Sequence, residues 1–133
     1  MRRLPLPALL VSALLGLAAC AMESPPPPRT VDRVDLGRYQ GRWFEIARFP
    51  NRFQDGRARR CVGVTADYAG EPDGTIAVVN RCRNAMDGGR EVVARGWARA
   101  DDASNARLRV TFFWPFFGDY WVIGLDPQYR WAV

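Results

Sequence analysis

The chain has 133 residues, enough for a single domain. Its formal net charge is +5, and all 19 basic residues are arginine set against 14 acids; the arginines are scattered among those acids, whereas a nucleic-acid surface shows a clustered basic face, so no nucleic-acid partner is expected. Histidine is absent, which removes imidazole nucleophile pairs, imidazole zinc sites and the commonest general base, and no metal, cofactor or catalytic residue is assigned.

Met1-Arg2-Arg3 is a short positive start, followed by an apolar run from Leu4 to Leu17 and by Leu17-Ala18-Ala19-Cys20. The run is short and interrupted by Pro5 and Pro7, so it reads as a secretory signal over 1–19 rather than a membrane span. Its last four residues resemble the lipobox of bacterial lipoproteins, and that resemblance makes Cys20 the acylated first residue of the mature protein. Ala21 in place of aspartate points to the outer membrane. Residues 20–33 include Pro25 to Pro28, a stiff extended tether of about 3.1 Å per residue.

Leu36 to Gln40 predicts one helical turn of 3₁₀ type. Gly41 allows a backbone conformation closed to other residues, and Trp43 to Phe49 predicts a strand opening on a large plug residue. Pro50 to Gly56 predicts a loop whose one large apolar residue is Phe53, a surface anchor on its own reading. Val62 to Tyr68 alternates as a half-buried strand with Val62, Val64, Ala66 and Tyr68 inward. After the turn at Ala69 to Gly74, Thr75 to Arg83 predicts a strand whose inner face the pattern leaves open.

Pairing Tyr68 with Thr75 across that turn sets Cys61 opposite Cys82. In an oxidising compartment the two predict a structural disulfide, worth about 3 kcal/mol for a loop of about 20 residues. The competing metal or redox pair has neither Cys-x-x-Cys spacing nor histidine behind it.

Arg90 to Arg99 predicts a strand in which Gly96 marks a bend or bulge. Arg107 to Phe112 predicts a strand with Leu108, Val110 and Phe112 inward, then an aromatic loop from Phe113 to Gly118. Asp119 to Leu125 predicts a strand placing Tyr120 and Val122 inward. Asp126-Pro127-Gln128 turns, and Tyr129 begins one more strand. Six strands and the start of a seventh, with short turns, read as an all-β up-and-down barrel or a sandwich.

Two motifs choose between these. Gly41-Arg42-Trp43-Phe44-Glu45-Ile46-Ala47 resembles the first signature of the lipocalins, most closely the bacterial outer-membrane ones, and the stretch around Asp126 resembles their weaker second signature, with Leu125 and Pro127 as departures. The resemblance covers nearly everything from Val34 onward and implies an up-and-down antiparallel barrel, with the loop after its first strand over the open end and Phe53 as a lip there. It also implies a further strand, an arginine packed over the motif tryptophan and a helix beyond Val133, so the chain reads as an incomplete lipocalin domain over 34–133.

The inward set of Val62, Val64, Ala66, Tyr68, Leu108, Val110, Phe112, Tyr120 and Val122 suits a hydrophobic tail, with arginines near the mouth for a headgroup. The resemblance implies a carrier or store of fatty acid or lysophospholipid, lipid-anchored in the outer membrane and facing the periplasm. Two other readings stay open: an enzyme in which an inward Glu45 acts as acid or base, against Glu45 as a motif residue paired with an arginine, and a filled, ligand-free envelope lipoprotein.

Overall fold

A computed structural model describes residues 25–133; the signal segment and Cys20 lie outside the described residues. The helical turn α1 (Leu36–Tyr39) is followed by β1 (Gly41–Phe44), β2 (Cys61–Gly70), β3 (Ile76–Asn84), β4 (Arg90–Ala100), β5 (Arg107–Phe113) and β6 (Phe116–Trp121). All six strands form one antiparallel sheet in sequence order, with β1 and β6 at its edges. The expected all-β, up-and-down lipocalin-type topology is present, as an open sheet.

The local chemistry accounts for the entry into the sheet. Asp35 caps α1, its Oδ1 accepting from the Gly37 and Arg38 amides at 2.9 and 3.2 Å. The turn is α-helical rather than 3₁₀. Gly41 then reverses the chain at φ +99°, a conformation glycine alone adopts freely. β1 stops at Phe44, well short of Phe49, because Arg48 folds the chain back: its guanidinium reaches Asp55 at 2.6 and 2.9 Å and the Cys61 carbonyl at 3.0 Å.

The β2–β3 register differs from the expected one. Tyr68 pairs with Val78, and a bulge between Val62 and Thr65 shifts the ladder by one residue, so Cys61 faces Asn84. The Cys61–Cys82 disulfide is nevertheless formed, with Cα atoms 5.3 Å apart, because a diagonal neighbour is also within reach.

Gly96 sits in an unbroken β3–β4 ladder opposite Val78, so the predicted bulge is absent there. Its role is close approach, since a Cβ at this position would lie 2.2 Å from the Thr111 carbonyl oxygen. The aromatic loop is shorter than expected. Phe116, Phe117 and Gly118 belong to β6, and only Trp114 and Pro115 make the turn. The seventh strand is reduced to one bridge between Leu125 and Ala132.

The core lies on one face of the sheet in two clusters. One joins Val34, Tyr39, Ala106 and Val122 at the end where the chain enters the sheet; the other joins Ile76, Val78, Ala98 and Leu108 further along. The first cluster closes that end, and its partly buried members include Trp43 and Tyr68.

Candidate functional site

The closed end is a stack of aromatic rings. Tyr39 lies 4.8 Å from Trp43 in a stacked arrangement and 5.7 Å from Tyr68. The indole Nε1–H of Trp43 donates to the Tyr39 carbonyl at 2.9 Å, which ties α1 to β1. Trp43 therefore does serve as a plug for this end. Among the described residues it is Tyr39, and no arginine, that stacks on it.

Three phenol groups meet above this stack. The Tyr39 and Tyr120 hydroxyls are 2.9 Å apart, and Tyr68 donates to Tyr120 at 3.3 Å. Burial pushes the Tyr39 and Tyr68 hydroxyls well above the usual phenol range, with the neighbouring Tyr120 adding to the effect. Tyr39 and Tyr68 therefore remain neutral donors at physiological pH. Three O–H groups share two mutual bonds, so one proton stays available to a third acceptor.

Over this floor lies a cavity of about 80 Å³. Its apolar walls come from Leu36, Ile76, Val78, Ala98, Leu108 and Val110 among others, and its polar groups from the three tyrosines, Gln40 and Asn80. The Gln40 Oε1 accepts from the Gly70 amide at 3.1 Å. The Asn80 Oδ1 is buried with no hydrogen-bond partner. Such a group is costly to leave unmade and so marks where a donor would be welcome. The space is small beside the roughly 300–1,000 Å³ of small-molecule sites, room for part of an aliphatic tail rather than a bulky ligand.

Of the residues expected to line a cavity, Tyr68, Leu108, Val110, Phe112, Tyr120 and Val122 do so. Phe53, Val62, Val64 and Ala66 do not. Phe53 is 70% exposed on its loop and Val62 is 45% exposed. The β2 bulge is the reason for Val62: an extra residue flips the faces, which turns Cys61 inward and Val62 out, while Val64 lies within the bulge itself and is half-buried outside the lining. Ala66 keeps its parity but sits directly across from Trp43, at the plug.

Sequence reasoning did not find Ile76, Val78 and Asn80 because β3 offers apolar residues to both faces. The parity of Cys82 held the answer, since Ile76, Val78, Asn80 and Cys82 share one face of the strand and Cys82 is buried. Tyr39 was hidden in a segment read only as a turn.

The remaining motif residues are structural in their contacts. Glu45 is half-buried, with one carboxylate oxygen on Arg48 and the other accepting from Gln54 at 3.1 Å. Both oxygens are thereby committed to folding the 45–60 loop. Asp126 is buried and accepts from the Arg130 amide at 3.1 Å and its Nε at 2.6 Å; hydrogen bonding to Arg130 holds its carboxyl below the usual range. The turn it braces reaches the first motif. Arg38 donates to the Pro127 carbonyl at 3.1 Å and stacks 4.1 Å over Tyr129, whose hydroxyl accepts from the Asp35 amide at 2.8 Å. The two sequence signatures thus meet at the closed end.

Comparison with known proteins agrees with this arrangement. The model of the lipocalin-like domain family matches residues 34–133. Over the whole of this chain and 73% of their own length, the outer membrane lipoprotein Blc of Citrobacter freundii is 42% identical and that of Escherichia coli K12 is 43% identical. Apolipoprotein D of Macaca fascicularis is 32% identical over 90% of this chain and 64% of its own length. With the family model covering every element from Val34 onward and the sheet running in the expected order, the chain belongs to the lipocalin family.

Proposed function

We propose that this chain is a lipid-binding protein of the bacterial outer membrane that stores or carries a fatty acid or lysophospholipid. Cys20 carries the acyl anchor, the expected tether of 20–33 is shortened to 20–30 because Val31 already bonds the Val122 carbonyl and packs on the core, and the barrel domain faces the periplasm. The observation that carries the reading is the small cavity walled by Ile76, Val78, Leu108 and Val110 and floored by three hydrogen-bonded tyrosines. The hydrocarbon tail would lie against the aliphatic walls, where each buried methylene contributes about 0.8 kcal/mol. The similarity to two outer membrane lipoproteins supports the location.

The role is binding rather than catalysis. Glu45, the acid with catalytic potential in the sequence, has both oxygens engaged by Arg48 and Gln54. Phe53, Val62, Val64 and Ala66 are set aside as cavity residues, and Tyr39, Ile76, Val78 and Asn80 replace them.

A fluorescent fatty acid titrated into the purified protein tests the reading. Saturable one-to-one binding is expected, and Val110→Phe, which narrows the cavity at a half-buried position, should weaken it about tenfold or more. Unchanged affinity in a folded Val110→Phe protein would place the ligand elsewhere.

A further inference from the structure

Hairpin connections in an up-and-down sheet alternate between its two ends. The 45–60 loop, the 85–89 turn and the Trp114–Pro115 turn therefore share the open end, and the 71–75 and 101–106 turns share the closed end. These two ends differ in charge. The open-end connections carry Arg48, Arg52, Arg57, Arg59 and Arg60 against Glu45, Asp55 and Asp87, whereas the closed-end turns carry Glu71, Asp73, Asp101 and Asp102 with no basic residue. Arg48 neutralises both Glu45 and Asp55. Among the described residues, no carboxylate forms an ion pair with Arg52, Arg57, Arg59 or Arg60.

The same rim is also apolar. Phe113, Trp114 and Phe116 at the β5–β6 tip are 80%, 77% and 77% exposed, and the Arg52 guanidinium lies 5.3 Å over the exposed Phe53 ring. Neighbouring aromatic side chains held in water mark an interaction surface.

We propose that this rim docks on the surface of a bilayer containing anionic lipid. Phe113, Trp114 and Phe116 enter the headgroup region, where amphipathic rings are favoured. Arg52, Arg57, Arg59 and Arg60 pair with lipid phosphates, a geometry the planar guanidinium matches. The acidic 71–75 and 101–106 turns lie at the opposite end of the sheet, so the charged rim is the end that faces an anionic surface. The chain enters the sheet at the far end, where the Val34 amide bonds the Ser104 carbonyl at 2.8 Å, so the tether leaves the rim uncovered. Docking of this kind goes beyond cargo binding, and either can fail without the other.

The full chain carrying Cys20→Ser, which removes the acylation site, is mixed with vesicles of brominated phosphatidylcholine with or without phosphatidylglycerol. The readout is the emission of Trp114 alone, obtained by difference from a Trp114→Phe variant. The proposal predicts about twofold or greater quenching of that emission in anionic vesicles, little in neutral ones, and its loss in Arg57→Gln/Arg59→Gln/Arg60→Gln. It is overturned by unquenched Trp114 emission in anionic vesicles, as expected of a surface that meets a protein partner. Quenching that persists undiminished in the triple variant overturns it equally.

Discussion

Asn80 is the residue whose state most directly separates a ligand site from ordinary core. A buried amide oxygen without a partner is tolerated at a cost to the empty protein. Asn80→Leu should raise the stability of the ligand-free protein by about 1 kcal/mol, read as a higher urea midpoint. An unchanged or lower midpoint would mean that the amide is satisfied in solution.

The tyrosine floor makes a second residue-level statement, about pH. Tyr39 and Tyr68 have hydroxyls raised by burial, so above about pH 10 the unfolded chain releases phenol protons that the folded chain retains, and stability falls as pH rises. The carboxyls of Asp55, Asp67 and Asp126 are held low by hydrogen bonds from Arg48, Arg42 and Arg130 respectively. Their contribution is complete above about pH 4 and is lost as pH falls further. Urea midpoints at pH 3, 7 and 11 should therefore be highest at 7; equal midpoints at 7 and 11 would remove the tyrosines from the core.

At the scale of elements, Gly96 shows how close packing replaces a feature that composition alone suggests. With the Thr111 oxygen 2.2 Å from a would-be Cβ and the Phe112 ring at 2.8 Å, Gly96→Ala has to push β5 away from β4. The expected loss is about 1–3 kcal/mol in thermal or urea unfolding, and a neutral result would show that the β4–β5 pairing relaxes freely.

The elements also show what was legible in the sequence. The strand order and the inward faces of β5 and β6 follow from alternation and spacing, because those segments keep a clean period of two; the disulfide partners are right although the register that paired them is not the one formed. The register of β2 on β3, the orientation of Val62 and the lining role of Asn80 do not follow from such a pattern. A bulge changes every face beyond it, and neither its place nor its existence is written in the local hydrophobic pattern. Phe53 was a candidate lip because it is large and apolar, yet side-chain size gives no direction on a loop that Arg48 and Asp55 fold from behind.

For the whole molecule, the arrangement is polar in every sense. One end is closed by stacked aromatics where the two lipocalin signatures meet, and the other is rimmed with arginine and exposed rings. Between them lies a small apolar space. A cavity so walled should carry lipid when the protein is drawn from a membrane. Native mass spectrometry of the full-length protein extracted from bacterial membranes in mild detergent measures this directly. The account predicts a species heavier than the bare lipoprotein by one fatty acid or one lysophospholipid, released on gentle activation and diminished in Val110→Phe. Only ligand-free protein, under conditions that preserve a non-covalent lipid on a control carrier, would contradict it.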